Sequence, residues 1–227
     1  DSGITYHPDL VDQLVSGYDF VSNTAKSGDG NGIDKNPTDP GDWDKTCFNA
    51  NPGNTADCTN SSWHGTHVAG IIAAKQNSIG ISGVAPGVKI QPIRVLGQNG
   101  EGSAIDLAIA IMWAAGYSGA EITEALSTSS YFTSAIAKSL STIPTNATPA
   151  RVINMSMAGS GNCPGVVGVA IQLAQDKGAV LVAAAGNGDE NMVPQSNQDF
   201  YPTSCRGPIS VGATDSTGDA ARYSNYG

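Results

Sequence analysis

Basic residues are scarce in this sequence: eleven Lys and Arg stand against twenty Asp and Glu, giving a formal net charge of -9 over 227 residues. A chain so short of cations has no electrostatic footprint for a phosphate backbone, so nucleic acid is excluded as a partner. There is no His-Glu-x-x-His segment and no cysteine pair at zinc-site spacing, which removes the zinc hydrolases and small zinc modules. Long apolar runs are also missing. The longest, Ala179 to Ala185, is far too short to cross a bilayer, and no membrane partner is expected. These residues contain no secretory leader either, opening directly on an Asp-Ser-Gly segment.

The charge that is present is unevenly placed. Residues 1–63 hold ten Asp against three Lys, or -7, while the remainder carries -2. A local acidic excess points to metal binding or to a solvated acidic surface. Between Asp29 and Asp42, Asp and Asn are interleaved with Gly and Pro without apolar periodicity. Turns of that composition can aim several oxygens at one hard cation, so Asp29, Asn31, Asp34, Asp39 and Asp42 are candidate calcium ligands within an acidic loop at 29–44.

Four cysteines, Cys47, Cys58, Cys163 and Cys205, form an even, scattered set. That pattern implies two disulfides, an oxidising compartment and hence a secreted protein. Three pairings are open. Cys47 with Cys58 closes a short loop, and Cys163 with Cys205 joins the segments flanking the strand before Asn187. Each unstrained bridge contributes about 2–4 kcal/mol.

Alternating elements define the fold class. Strands are predicted at 18–21, 88–96, 152–157, 179–185 and 208–213, and helices at 103–115 and 166–177, stopped by Gly116 and Gly178. Ser103 and Asp106 stand at capping-box spacing. Such βα units imply an α/β fold, a doubly wound and mainly parallel sheet with helices on both faces, and ligands beyond the strand C-termini. At 40% hydrophobic the chain supports one core, so a single domain over 1–227 is expected. Residues 117–149 interrupt the pattern. Ile122, Leu126, Phe132, Ile136, Leu140 and Ile143 lie near helical spacing there, predicting one or two helices packed by one face and serving as decoration.

The organising stretch is His64-Gly65-Thr66-His67-Val68-Ala69-Gly70, followed by Ile71-Ile72-Ala73-Ala74. A histidine opening an apolar, glycine-containing helix is what a buried helix with a reactive group at its exposed end requires. Together with Asp1-Ser2-Gly3-Ile4 upstream and Ala183-Ala184-Ala185-Gly186-Asn187 downstream, it resembles the subtilisin-like serine peptidases, whose three motifs occur in this order. The resemblance runs through essentially all 227 residues. It also extends to His7-Pro8-Asp9-Leu10, where His7 is read as structural.

The resemblance implies a serine endopeptidase acting on polypeptides as a monomer. His64 would be the general base, Asp1 would orient its imidazole, and Asn187 would donate its amide to the oxyanion. Gly100, Glu101 and Gly102 would pair with substrate backbone as an added strand. Ser156, Met157, Ala158 and Gly159, with Ala184, Ala185 and Gly186, would line the primary specificity pocket. Ala158 replaces the family's usual glycine, so a methyl group crowds that cleft, and Phe200 aligns loosely with the pocket floor. These features imply cleavage after small or medium apolar residues. A structural calcium would be held by Asp9 and Asn77 with the carbonyls of Lys75, Ile79 and Ile81.

The family's nucleophile segment, Gly-Thr-Ser-Met-Ala, does not occur in these residues. Asn154-Met155-Ser156-Met157-Ala158 contains Ser-Met-Ala but lacks the Gly-Thr, precedes the Asn187 motif and ends a strand. The expectation is therefore a domain incomplete at both ends and inactive as it stands. The alternative is a non-catalytic relative that binds peptide and calcium. Retention of Asp1, His64 and Asn187 together favours the enzyme.

Overall fold

Parallel strand pairing dominates the computed structural model, which describes residues 1–50, 58–189 and 191–227. Those residues divide into two compact units, Asp1–Asp106 and Leu107–Gly227.

In the first unit, β1 (Tyr18–Asp19) pairs in parallel with β2 (Ile93–Arg94), Tyr18 opposite Ile93. Both ladders are shorter than the apolar runs that predict them. Val15 N–H bonds to the Ile90 carbonyl and Tyr18 N–H to that of Pro92, but Pro92 has no N–H to return, and regular pairing breaks there. Helices α1 (Thr24–Ser27) and α2 (Lys45–Ala50) are short. Helix α3 (His64–Ala73) buries Gly65, Ala69 and Ala73. It is not buried on every side as its composition implies, because Ile71 is 48% exposed.

Helix α4 (Ala104–Ala114) spans the division between the units. Every residue from Ile105 to Ala115 is buried, as a helix apolar on all sides requires. Asp106 N–H donates to the Ser103 hydroxyl at 3.1 Å, so half of the predicted capping box forms. The other half does not: the Asp106 carboxylate accepts instead from Ser22 N–H at 3.2 Å.

The second unit carries a parallel sheet in the order β3 (Val152–Met155), β5 (Val180–Ala184), β7 (Ile209–Val211). Register sets Val152 opposite Val180 and Val182 opposite Ile209. Met155, Leu181 and Ala183 are buried, and α7 (Gly165–Asp176), with Val167, Ala170, Ile171 and Ala174 buried, packs on β5. The alternate residues Val152, Val180, Ile209 and Val211 are exposed, and parallel strands alternating with helices give the expected α/β class. A short antiparallel ladder joins β4 (Gly159–Ser160) to β6 (Phe200–Tyr201).

The insertion forms α5 (Gly119–Leu126) and α6 (Ser134–Leu140), burying Ile122, Leu126, Ile136, Leu140 and Ile143. Ser118 and Glu121 make a full capping box at its start. At its end Trp113 Nε1 donates to the Pro144 carbonyl at 2.9 Å, and Asn146 donates to the carbonyls of Trp113 and Ala114. Both disulfides form, Cys47–Cys58 and Cys163–Cys205, with Cα separations of 5.6 and 4.9 Å.

Candidate active site

In the first unit the two halves of the site meet through backbone closeness that only glycine permits. A side-chain carbon on Gly65 would lie 2.0 Å from the Gly3 carbonyl oxygen, so the first turn of α3 rests directly on the Asp1-Ser2-Gly3 backbone. Ser2 bolts the contact: its hydroxyl accepts from Gly65 N–H at 3.0 Å and donates to the Asp39 carboxylate at 2.7 Å. Thr5 N–H donates to the Thr66 hydroxyl at 2.9 Å, one residue further along the helix. From below, Arg94 Nε donates to the Ser2 carbonyl, and the N–H groups of Val95 and Leu96 donate to the Asp1 carbonyl.

The consequence is an Asp–His pair. His64 Nδ1 lies 2.8 Å from Asp1 Oδ1, which also accepts from Ser2 N–H at 2.8 Å. A carboxylate can only accept, so the Nδ1 proton belongs to histidine and Nε2 keeps its lone pair. Burial pulls the His64 pKa below its ordinary value, opposed by Asp42. The Asp1 carboxylate works with Asp42, because a hydrogen bond accepted from Nδ1–H favours the imidazolium. Together these groups leave an imidazole that is neutral at pH 7 and oriented to take a proton at Nε2.

Trp63, preceding His64, has φ 51° and ψ 34°, a left-handed conformation rare for an aromatic residue. Asp42 braces this corner, its carboxylate accepting from Ser62 N–H and hydroxyl at 2.6 Å each. The Asp42 carbonyl accepts from Asn99 N–H at 2.8 Å, tying the same brace to the Gly100-Glu101-Gly102 segment. Glu101 and Gly102 are exposed, and Glu101 pairs with Lys26.

Arg94, 1% exposed, contacts Asp19, Asp29 and the Ser27 carbonyl. Burial pushes the Asp19 carboxyl up to about 6, while Val21 N–H and Arg94 hold it down. Asp29 ends below its ordinary value: burial works upward, but the Ser27 hydroxyl, Asn31 N–H and Arg94 outweigh it.

These partners account for the acidic loop. Asp29 faces the Arg94 guanidinium at 3.2 Å, Asp34 accepts from Asn31, Asp39 from Ser2 and Gly41, and Asp42 from Ser62. Among the described residues no three His, Cys, Asp or Glu side chains are grouped to hold a metal ion. The carboxylates are therefore spread over separate protein donors instead of converging. Elsewhere, buried Asp9 accepts from Asn77 Nδ2 at 2.7 Å, Lys75 N–H donates to the Asp9 carbonyl, and Asn77 Oδ1 accepts from Ile79 N–H. Ile79 and Ile81 are exposed. His7 belongs to the turn before Asp9, where its Nδ1 accepts from Asp9 N–H at 3.3 Å.

In the second unit Asn187 is exposed just beyond the C-terminal end of β5, after Ala185 and Gly186. Its loop is held by a residue that motif reading misses, Asn225, which is 4% exposed. Asn225 Nδ2 donates to the Ala185 carbonyl at 3.0 Å, and its Oδ1 accepts from Gly188 N–H at 2.9 Å and Gln195 N–H at 2.8 Å. Its own N–H donates to the Gly186 carbonyl. The available signal was an Asn within Tyr223-Ser224-Asn225-Tyr226-Gly227, a polar run whose distant partners no local pattern identifies.

Ser156, Met157 and Ala158 follow the end of β3, with Ser156 Oγ accepting from Asn154 Nδ2 at 2.9 Å. Ser156 thus leaves a strand instead of opening a helix. Gly159 pairs with Tyr201, whose ring occupies the space a side chain would need, and Phe200 lies in the same ladder.

Known proteins match this arrangement along its whole length. The chain is 42% identical over 229 residues to an extracellular protease of Xanthomonas campestris pv. campestris and 38% identical to an extracellular basic protease of Dichelobacter nodosus. All of this chain is covered in both, but only 34% of either relative. It therefore spans about a third of their length. Among solved structures, a protease from Pseudoalteromonas arctica superposes with TM-score 0.81 at 38% identity, covering 100% of this chain and 58% of that one. Sphericase gives TM-score 0.63 at 28% identity, covering 99% and 56%. Among the described residues no helix is long and apolar enough to cross a membrane. The subtilase family model matches residues 1–227 without interruption, and the chain belongs to the subtilase family.

Proposed function

We propose that the protein containing these residues is a secreted serine endopeptidase that hydrolyses polypeptides as a monomer. The observation that carries this reading is the Asp1–His64 pair at 2.8 Å, with Nδ1 as donor and Nε2 available as base. His64 takes the proton of a serine hydroxyl and returns it to the leaving amine, and Asp1 holds the imidazole in tautomer and stabilises its protonated form. Asn187 supplies its side-chain amide to the oxyanion. For such a donor a loss of roughly 10²–10³ in turnover is typical, a magnitude that comes from subtilisin itself. No serine here stands in the family's nucleophile segment, so that role is assigned to none of these 227 residues.

Gly100, Glu101 and Gly102 serve as the substrate-backbone edge. Ser156 to Gly159 and Ala184 to Gly186 serve as the walls of the specificity pocket, with preference for small or medium apolar residues. The unbroken family match across both units supports reading them as one peptidase domain. Secretion is supported by the extracellular relatives and by the two disulfides.

Calcium is assigned to Asp9 and Asn77. Asp9 brings a buried carboxylate, and Asn77, whose Nδ2 donates to it, would have to turn its Oδ1 toward the ion, beside the carbonyls of Lys75, Ile79 and Ile81 in the adjoining turn. Bound there, the ion would hold the turn to the Asp9 segment and take no part in proton transfer.

The test is hydrolysis of a peptide library by the protein expressed from its full reading frame. Activity blocked by a serine-directed phosphonate and abolished in Asp1→Ala supports the reading. Robust binding of peptides with no turnover would favour the non-catalytic alternative.

A further inference from the structure

We infer that Arg94 is a positioning residue for the Asp1–His64 pair, its guanidinium gripping the Ser2 carbonyl beside Asp1 and anchored in turn on Asp19, Asp29 and the Ser27 carbonyl. The inference deepens the peptidase reading and rests on it.

Stability alone gives little reason for an arginine at this position. Arg94 is 1% exposed and lies in a largely apolar run, between Ile93 and Val95. Taking a guanidinium and the fully buried Asp19 out of water is expensive, and a well-packed apolar side chain of similar volume often serves a core as well or better. What an apolar side chain cannot do is hold several oxygens at fixed angles. The guanidinium does this with all three nitrogens. Nε donates to the Ser2 carbonyl at 3.2 Å, Nη1 to Asp19 and, at 3.2 Å, to Asp29, and Nη2 to the Ser27 carbonyl. A planar fork with that many fixed acceptors has one orientation.

Its footing is firm. Asp19 is the register partner of Arg94 in the β1–β2 ladder, its Oδ1 accepts from Val21 N–H at 2.7 Å, and its backbone exchanges two hydrogen bonds with Asp34. The Asp1-Ser2-Gly3 segment, by contrast, belongs to no strand and takes its place from whatever holds its carbonyls. Val95 and Leu96 N–H hold that of Asp1, and Arg94 holds that of Ser2. The arginine stem also lies against Gly3, where an added side-chain carbon would come within 3.2 Å of its Cδ. Ser2 N–H donates to the Asp1 carboxylate, and the Gly3 carbonyl bears on Gly65, next to His64. A shift of the Ser2–Gly3 backbone therefore moves both members of the pair, the carboxylate through Ser2 N–H and the imidazole through Gly65.

The experiment compares the full-reading-frame enzyme with its Arg94→Lys and Asp29→Asn variants. It measures kcat and KM on one peptide, the unfolding temperature, and the NMR signal of the His64 Nδ1 proton. Arg94→Lys keeps a positive charge between the carboxylates but removes the Nε donor and the fork. Asp29→Asn keeps the arginine and weakens one anchor. The expected result for Arg94→Lys is a fall in kcat of about 10- to 100-fold with KM within about twofold of the parent, the scale of a small misplacement of reacting groups. The Nδ1 proton signal should shift while the protein still unfolds well above the assay temperature. Asp29→Asn should show the same pattern more weakly, and it decides the matter if Arg94→Lys does not fold. In a folded variant, an unchanged kcat, an unshifted Nδ1 signal, or a loss confined to KM or to the folded fraction overturns the inference. If the unmutated enzyme hydrolyses no peptide, the peptidase reading falls and takes this one with it.

Discussion

The Ser2 hydroxyl stands between Gly65 and Asp39, accepting from the first at 3.0 Å and donating to the second at 2.7 Å in a buried setting. It couples the residue after Asp1 to the residue after His64, so the geometry of the Asp–His pair depends on a serine whose hydroxyl touches neither functional group. Ser2→Ala leaves a buried N–H and a buried carboxylate short of one partner each. Such losses cost about 1–3 kcal/mol per group. Urea unfolding should show a lower midpoint with an unchanged slope. Stability within a few tenths of a kcal/mol of the parent would mean that the relay is not holding the two segments together.

A second dependence lies at Asn225, which bonds to four backbone groups around Asn187. Asn225→Ala should raise amide exchange at Gly188 and Gln195, whose N–H groups it accepts, while β5 stays protected. Activity of the full protein should fall by about 10²-fold, the scale of one lost oxyanion donor. Unchanged exchange at both amides would rule out the clamp.

The pH dependence follows from His64, whose folded pKa lies below 6.5 with burial as the leading cause. Near pH 6.5 the unfolded chain then binds more protons at this site than the folded one. Stability therefore loses nothing to His64 above the unfolded value. It declines as pH falls from 6.5 to the folded pKa, and the loss is complete below it. Asp42→Asn removes a charge that raises this pKa and should shift the imidazole's NMR titration to still lower pH. A midpoint above 6.5 in the parent, or an upward shift in the variant, contradicts the assignment.

For the Asp9–Asn77 site, chelation should lower the unfolding temperature of the parent, and added calcium should restore it. Asp9→Asn should be insensitive to both. Equal responses in the two proteins would move any calcium effect to another site.

Much of this was legible in the residues because the features are local. His64-Gly65-Thr66-His67 begins a helix where its motif says it should, α4 and α7 end two residues before the positive-φ glycines Gly116 and Gly178, and the apolar runs at 179–185 and 208–213 become parallel neighbours. What escaped depends on distance. The fate of Asp29, Asp39 and Asp42 was decided by Arg94, Ser2 and Ser62, none of them adjacent in sequence. A buried Arg within the apolar run 88–96 was itself a usable signal, since a guanidinium there demands carboxylates. The left-handed turn at Trp63 carried no such signal, because nothing in the composition of Ser61-Ser62-Trp63 announces a positive φ.

The central claim is that His64, oriented by Asp1, is the base of a serine peptidase. The most direct measurement is kcat/KM of the full-reading-frame protein beside its His64→Ala variant on one good peptide substrate. In subtilisin itself loss of the corresponding base costs about 2 × 10⁶ in turnover. The account predicts a fall of that order with folding unchanged by circular dichroism. A folded His64→Ala protein that keeps even a tenth of the parent's activity would contradict it.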